Sequence, residues 1–171
     1  MVRVARFEKV SLRRFVADWI ATFPQQTVEQ AVAAYERIRL PERATSGSAG
    51  YDLFAPVGFE LGAGEGIKSP TGLRVLIEEG WVLKIYPRSG LGFKYRFQLD
   101  NSVGVIDSDY ARSDNEGHIF MRMTNDSREG KTLIVPSGTA FAQGIFLPFG
   151  ITVDDHAQGV RNGGLGSTTG H

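Results

Sequence analysis

The chain has 171 residues and balances 19 basic against 19 acidic side chains, which argues against a general nucleic-acid or anionic-membrane binder. Its length is that of one domain able to bury a core without disulfides or metals. With no cysteine at all, a disulfide framework, a thiolate zinc site and a cysteine nucleophile are excluded.

In chain order, Val2, Val4 and Phe7 to Val10 predict a short first strand. Charges at Arg3, Arg6, Glu8 and Lys9 leave no apolar leader core, and no long uncharged apolar run follows, so the expectation is a soluble, cytoplasmic chain. The period then changes. Leu12, Phe15, Val16, Trp19 and Ile20 fall at i, i+3, i+4, i+7 and i+8, an amphipathic helix with Ser11 as its N-cap. Pro24 interrupts it. Thr27 and Gln30 have capping-box spacing, and Val28, Ala31, Val32 and Tyr35 mark one face of a second helix that Pro41 closes.

Beyond Pro41, short β-rich runs alternate with glycine and proline. Leu73 to Ile77, Trp81 to Tyr86, Arg96 to Leu99, His118 to Met123, Lys131 to Val135 and Phe141 to Phe149 are the strand candidates, and the breaks between them are turn chemistry. Many short strands at this spacing predict an antiparallel sandwich or barrel. No repeat or long linker divides the strand region. Residues 1–157 therefore read as one mainly β domain and the Gly-, Ser- and Thr-rich stretch 158–171 as a flexible arm.

The stretch with most chemistry is Gly104-Val105-Ile106-Asp107-Ser108-Asp109-Tyr110. Val103, Val105 and Ile106 have the character of a buried strand, and Asp107, Ser108 and Asp109 end strands. A carboxylate held there can act as a general base or hold a metal-bound water, although such an Asp is more often a backbone cap. Pro87-Arg88-Ser89-Gly90 follows a strand candidate in a turn able to aim N–H groups and a guanidinium at phosphate oxygens. The three histidines, His118, His156 and His171, are scattered, which argues against zinc.

Taken together, Ser48-Ala49-Gly50-Tyr51-Asp52-Leu53, Pro87 to Gly92, Gly104 to Tyr110, Ala140-Phe141-Ala142-Gln143-Gly144-Ile145 and Arg161 to Thr168 resemble, in order, the five motifs of the trimeric dUTP diphosphatases, the dUTPases. The resemblance runs from about Leu40 to the C-terminus. It implies a distorted jelly roll (the β-clip fold), a homotrimer with active sites at subunit interfaces, and hydrolysis of dUTP to dUMP and pyrophosphate with Mg2+, limiting uracil in DNA and supplying dUMP. By the same resemblance Asp107 activates the attacking water and contacts the sugar 3′-hydroxyl, and Gln143 helps orient water and phosphates. Arg88, Ser89 and Gly90 bind phosphate. Asn101 begins the hairpin, continued by Gly104, Val105 and Ile106, that reads the uracil edge through backbone groups, and Tyr110 packs on the deoxyribose. Asp52 joins the water network around the metal, an indirect contact. The tail, with Arg161, Leu165, Gly166, Ser167 and Thr168, closes over the triphosphate.

The chain departs from the family pattern in four places. A helical insertion occupies about residues 11–38, before Leu40-Pro41-Glu42-Arg43-Ala44-Thr45. Its expected role is packing on the sheet; a regulatory protein partner, as for some phage dUTPases that bind repressors, is the alternative. The 111–117 loop after Tyr110 is several residues long, Ala140 stands where the family commonly has Arg, and Leu165 where it usually has a base-stacking Phe. A dCTP deaminase-like enzyme is the other alternative, but Arg122 stands about where that chemistry needs a Glu.

Overall fold

The computed structural model describes residues 2–162. It is mainly β, and every strand pair is antiparallel. The strands are β1 (Ala5–Lys9), β2 (Glu42–Arg43), β3 (Tyr51–Phe54), β4 (Phe59–Leu61), β5 (Gly66–Pro70), β6 (Leu73–Ile77), β7 (Trp81–Pro87), β8 (Phe97–Leu99), β9 (Gly104–Ile106), β10 (Phe120–Asn125), β11 (Leu133–Val135) and β12 (Ala140–Pro148). Among the described residues they form a five-stranded sheet in the order β2-β3-β12-β7-β9, a three-stranded sheet β5-β10-β8, and the pairs β1-β6 and β11-β4. Leu53, Leu83, Ile85, Phe97, Met123 and Phe141 from these sheets meet in one core.

Strands β2 to β5, short and broken by glycine and proline, escape a periodicity reading. The longest ladder joins β7 to β12 from Ala142 opposite Pro87 to Pro148 opposite Trp81. On its other edge β12 pairs with β3, with a bulge between Ala140 and Ala142, so that Gln143 lies opposite Asp52 on one side and Tyr86 on the other. Strand β9 is not buried as its β-branched residues predict. It is the sheet edge, and Val105 remains 54% exposed.

Two helices stand where the sequence predicts them, α1 (Leu12–Thr22) and α2 (Val28–Glu36). Ser11 Oγ accepts the Arg14 N–H at the start of α1, and Thr27 and Gln30 complete both halves of a capping box on α2. Phe15 and Trp19 are wholly buried and share the core of the β domain with Ala31 and Ala34. Removing a ring of this size from a core costs about 3–5 kcal/mol, so the hairpin is built into the domain. Gly72 shows how tightly it docks: at φ +72° a side chain would be strained, and a Cβ there would lie 2.2 Å from Ile38 Cδ1 and 3.0 Å from Phe15. No helix among the described residues is long and apolar enough to cross a membrane.

A third helix, α3 (Ser89–Tyr95), occupies the segment read from sequence as a turn. Its glycines at 90 and 92 hide any apolar period.

Candidate functional site

Asn101 and Ser102 turn the chain from β8 into β9, but the expected hairpin is not a paired ladder, because β8 pairs with β10 and β9 with β7 in separate sheets. Ser102 takes a left-handed φ of 65° while its N–H donates to Leu99 O at 2.9 Å. Gly104 lets β9 run close to β7, since a Cβ there would come within 3.1 Å of Ile85 Cβ. The turn and strand β9 wall a cavity of about 420 Å³ that Asn101, Gly104, Val105, Ile106, Asp107, Tyr110 and Arg161 line, joined by Asp100, Phe120 and Arg122. Directly after β9, the Tyr110 N–H donates to Asp107 O at 3.2 Å, a tight turn that brings both side chains to one wall. Asp100 is fixed by Arg122 Nε at 2.9 Å and by the Thr124 hydroxyl at 2.6 Å.

Tyr110 is buried. Its hydroxyl donates to His118 O at 2.7 Å and accepts from Asn115 Nδ2 at 2.9 Å. Burial pushes the phenol up from its ordinary pKa, which keeps the donating proton in place. Asp107 faces Arg161, whose Nη2 lies 2.5 Å from Asp107 Oδ2 and whose Nε lies 2.8 Å from Asp109 Oδ1. Asn162 continues this contact with hydrogen bonds to the Asp114 backbone and carboxylate. The start of the arm therefore lies on the Asp107 end of its own chain, whereas the family pattern directs Arg161 to phosphate.

A second group forms where β3, β7 and β12 run side by side. Arg88 Nε lies 3.3 Å from Asp52 Oδ1, Arg88 Nη1 reaches Ala140 O at 3.5 Å, and Gln143 Nε2 donates to Pro87 O at 3.2 Å. Gln143 is thus on a central strand rather than a sheet-edge amide. Gly50 lies close beside it, and a Cβ there would come within 2.8 Å of Gln143 Oε1, so the amide would have to shift. Ser89 and Gly90 open α3 without a side-chain cap, leaving first-turn N–H groups available to an oxyanion. Among the described residues, Asp52, Arg88, Ser89, Gly90 and Gln143 do not line the cavity that holds Asp107. The two groups are thus separate within one chain. Leu165, Gly166, Ser167 and Thr168 lie outside the described residues.

The family model described as dUTPase matches residues 36–169. The chain belongs to the dUTPase family. It is 42% identical to the deoxyuridine 5′-triphosphate nucleotidohydrolase of Lactococcus lactis over 134 residues, 77% of this chain and 88% of that protein. The protein of the same name from Dictyoglomus turgidum is 35% identical over 138 residues, 75% of this chain and 89% of that one. Among solved structures, the dUTPase of Streptococcus mutans is 40% identical with a TM-score of 0.60, covering 70% of this chain and 91% of that one. The dUTPase from phage phi11 of S. aureus, 20% identical, shares the fold with a TM-score of 0.63 over 92% of this chain and 97% of its own. Helix α1 and nearly all of α2 precede the matched dUTPase region.

Sequence reasoning missed the groups behind Tyr110 in this dUTPase-family chain. His118, set aside as a scattered histidine, is fully buried; its Nε2 accepts the Gly72 N–H at 2.8 Å and its Nδ1 lies 2.6 Å from Asp18 Oδ2. A backbone N–H can only donate, so Nε2 is bare and the ring proton sits on Nδ1, donated to Asp18. Burial, opposed by Asp18, holds the imidazole below its ordinary pKa, with Arg14 from α1 lowering it further and Glu116 from the loop raising it. The unfolded chain then binds the proton more readily than the folded one. Stability is complete above the unfolded value of about 6.5 and declines as pH falls through it toward the folded value. Thermal melts from pH 8 to pH 5 are expected to show a falling midpoint below about 6.5 that flattens in His118→Asn; equal slopes in both proteins would remove His118 from this role.

Proposed function

We propose that the chain hydrolyses dUTP to dUMP and pyrophosphate at sites that three copies complete together. The observation that carries this reading is the cavity itself: one wall is the β8–β9 turn and edge strand β9 with their backbone groups, and the other holds Asp107 and Tyr110. A pocket of about this volume suits one nucleoside, and fixed backbone donors and acceptors can reject cytosine by leaving its amino group unpaired. Arg122, paired with Asp100 where a deaminase would need a Glu, favours hydrolysis over chemistry at the base.

In this mechanism Asp107 takes a proton from water as its oxygen bonds to the α-phosphorus and the bond to the bridging oxygen breaks, releasing pyrophosphate. Arg88 with the first-turn N–H groups at Ser89 and Gly90 binds the phosphates, and Gln143 orients them and the water. Entering phosphate competes with Asp107 and Asp109 for Arg161, which frees the carboxylate as the guanidinium changes partner. Mg2+ suits the donors present: Asp52 is a single carboxylate beside Arg88, and no group of three or more His, Cys, Asp or Glu among the described residues could cage a metal. A cation carried on the triphosphate with its own waters, held through water by Asp52, would draw off negative charge from the phosphates.

Assembly is supported by what one chain leaves undone. The Asp107 wall and the Arg88 group are separate, and edge residue Val105, Phe93 of α3, Ile151 and Val153 are exposed apolar groups that a partner surface would cover. The body to residue 157 then supplies the interfaces and the arm from 158 closes the site. Helices α1 and α2 bury Phe15, Trp19, Ala31 and Ala34 within the chain, while Leu12 and Val28 of the predicted apolar faces stay exposed.

Product analysis with dUTP, dCTP, dTTP and UTP in the presence of Mg2+ tests the reading. Release of dUMP and pyrophosphate from dUTP alone is expected, and deamination of dCTP or binding without turnover would overturn it. In the same assay Tyr110→Ala is expected to raise UTP hydrolysis relative to dUTP about tenfold, the scale on which a close-packed wall rejects one extra group. An unchanged ratio would mean that the sugar is read elsewhere.

A further inference from the structure

Two ties join the α1–α2 hairpin to the loop that follows Tyr110, although α1 precedes the region matched to the dUTPase family. At one end, the Ser11 N–H and hydroxyl both donate to the Glu116 carboxylate, each at 2.7 Å. At the other, His118 donates from Nδ1 to Asp18, which Arg14 holds from the next turn through two hydrogen bonds, that from Nε measuring 2.9 Å. The loop between them is not in a relaxed conformation. Glu116 takes a left-handed φ of 60°, which costs a non-glycine residue about 1 kcal/mol or more. Gly117 follows at φ 69°, so close to the chain that a Cβ would lie 2.6 Å from Ala111 Cα. Such a segment persists only when its surroundings hold it.

What it holds is Tyr110. The phenol donates to the His118 carbonyl and accepts from Asn115, and the Asn115 side-chain oxygen accepts the Gly117 N–H at 3.1 Å. Hydrogen bonds joined by short covalent links therefore connect Arg14 and Asp18, by way of the His118 ring and its own carbonyl, to the ring that walls the cavity, and a second path enters at Ser11 and Glu116 and passes through the chain to Gly117 and Asn115. We propose that Asp18 and Glu116 are positioning residues: through them the N-terminal helical hairpin sets the Tyr110 ring and with it the selectivity of the pocket for deoxyribose over ribose. The selectivity half of this proposal rests on the dUTP reading above.

Hydrogen exchange and kinetics on the full chain separate the two halves. In Asp18→Ala the amides of residues 115–118 are expected to exchange at least about tenfold faster, the effect of losing a charged hydrogen bond. The preference for dUTP over UTP in kcat/KM is expected to fall about tenfold, mainly through KM, with kcat on dUTP held within about threefold because Asp107 is outside the network. Asp18→Asn, which keeps an oxygen to accept the Nδ1 proton, is expected to recover most of both effects. Should Asp18→Ala fail to fold, Glu116→Ala at the more exposed tie decides, with a loss of about threefold or more in selectivity expected. Unchanged exchange overturns the coupling, and faster exchange with unchanged selectivity overturns the positioning role. A wild-type chain that leaves dUTP intact overturns the functional reading instead, and the exchange measurement, which needs no substrate, still decides the coupling.

Discussion

Asp107→Asn is expected to leave the fold and nucleotide binding in place while lowering kcat on dUTP by about 10²- to 10⁴-fold, the range that a general base contributes. The amide has the shape of the carboxylate but cannot take a proton from water. The carboxyl side chain is 41% exposed and its partner is the start of the arm, so loss of the charge removes a surface-type ion pair worth about 0–1 kcal/mol. Stability should hardly move. Binding is measured with dUTP by calorimetry on the variant, where slow turnover makes the titration possible, and kcat by pyrophosphate release. A variant that binds dUTP normally and turns it over within a few-fold of wild type would sink the assignment of Asp107 as base. One that neither binds nor turns over would mean that Asp107 holds the nucleotide and would leave the base to be sought elsewhere.

The helices were open to a sequence reading because their signals are local. Five apolar residues from Leu12 to Ile20 keep one face, and Thr27 and Gln30 sit three apart, so capping and periodicity say the same thing within each segment. The β region was open only in part. Trp81 to Pro87 and Ala140 to Pro148 are long enough to show β character, whereas Glu42–Arg43 and Phe59–Leu61 are too short for any period. They exist because a neighbour pairs with them. Ser89–Tyr95 was hidden for the opposite reason, since its glycines look like a turn while the chain there closes helical hydrogen bonds, such as Gly92 N–H to Arg88 O at 2.9 Å. Residue type alone predicts a buried Val105, whereas the strand order puts it on an edge.

The site divides along the same line. Asp107 and Tyr110 are three residues apart, and their meeting in one wall follows from a single turn. The approach of Asp52, Arg88 and Gln143 depends on the β3-β12-β7 register, which no local pattern carries; only the resemblance of motifs pointed to it. Asp18 and His118 lie 100 positions apart, and nothing in either neighbourhood marks them as a pair. Their contact belongs to the docking of α1, and burial of Phe15 and Trp19 fixes it.

Removing residues 159–171 is expected to abolish most hydrolysis, about 10²-fold or more as for loss of a charge-stabilising group, with little change in thermal stability. What the described part of the arm contributes to the fold is slight: Val160 is almost fully exposed, and the arm's ties to the body include the Arg161 ion pairs and the Asn162 hydrogen bonds. Exposed pairs of this kind are worth about 0–1 kcal/mol each, a shift of a few degrees or so for a domain of this size. The chemistry loses more. Arg161 followed by Gly163, Gly164 and Gly166 with Ser167 and Thr168 offers a cation, adaptable N–H groups and two hydroxyls, which suits the wrapping of a triphosphate and the exclusion of water. It is not a Walker loop, since no Lys follows the glycines. The contact between Arg161 and Asp107 sets up an opposite possibility that the same experiment reads. Were Arg161 only a block on the base, truncation would free Asp107 and speed the reaction; were it a clamp on phosphate, truncation would slow it. A truncated chain that matches or exceeds the full rate on dUTP therefore sinks the closing role of the arm, and a collapse in rate with an unshifted melting midpoint is the result that a lid acting on bound nucleotide requires.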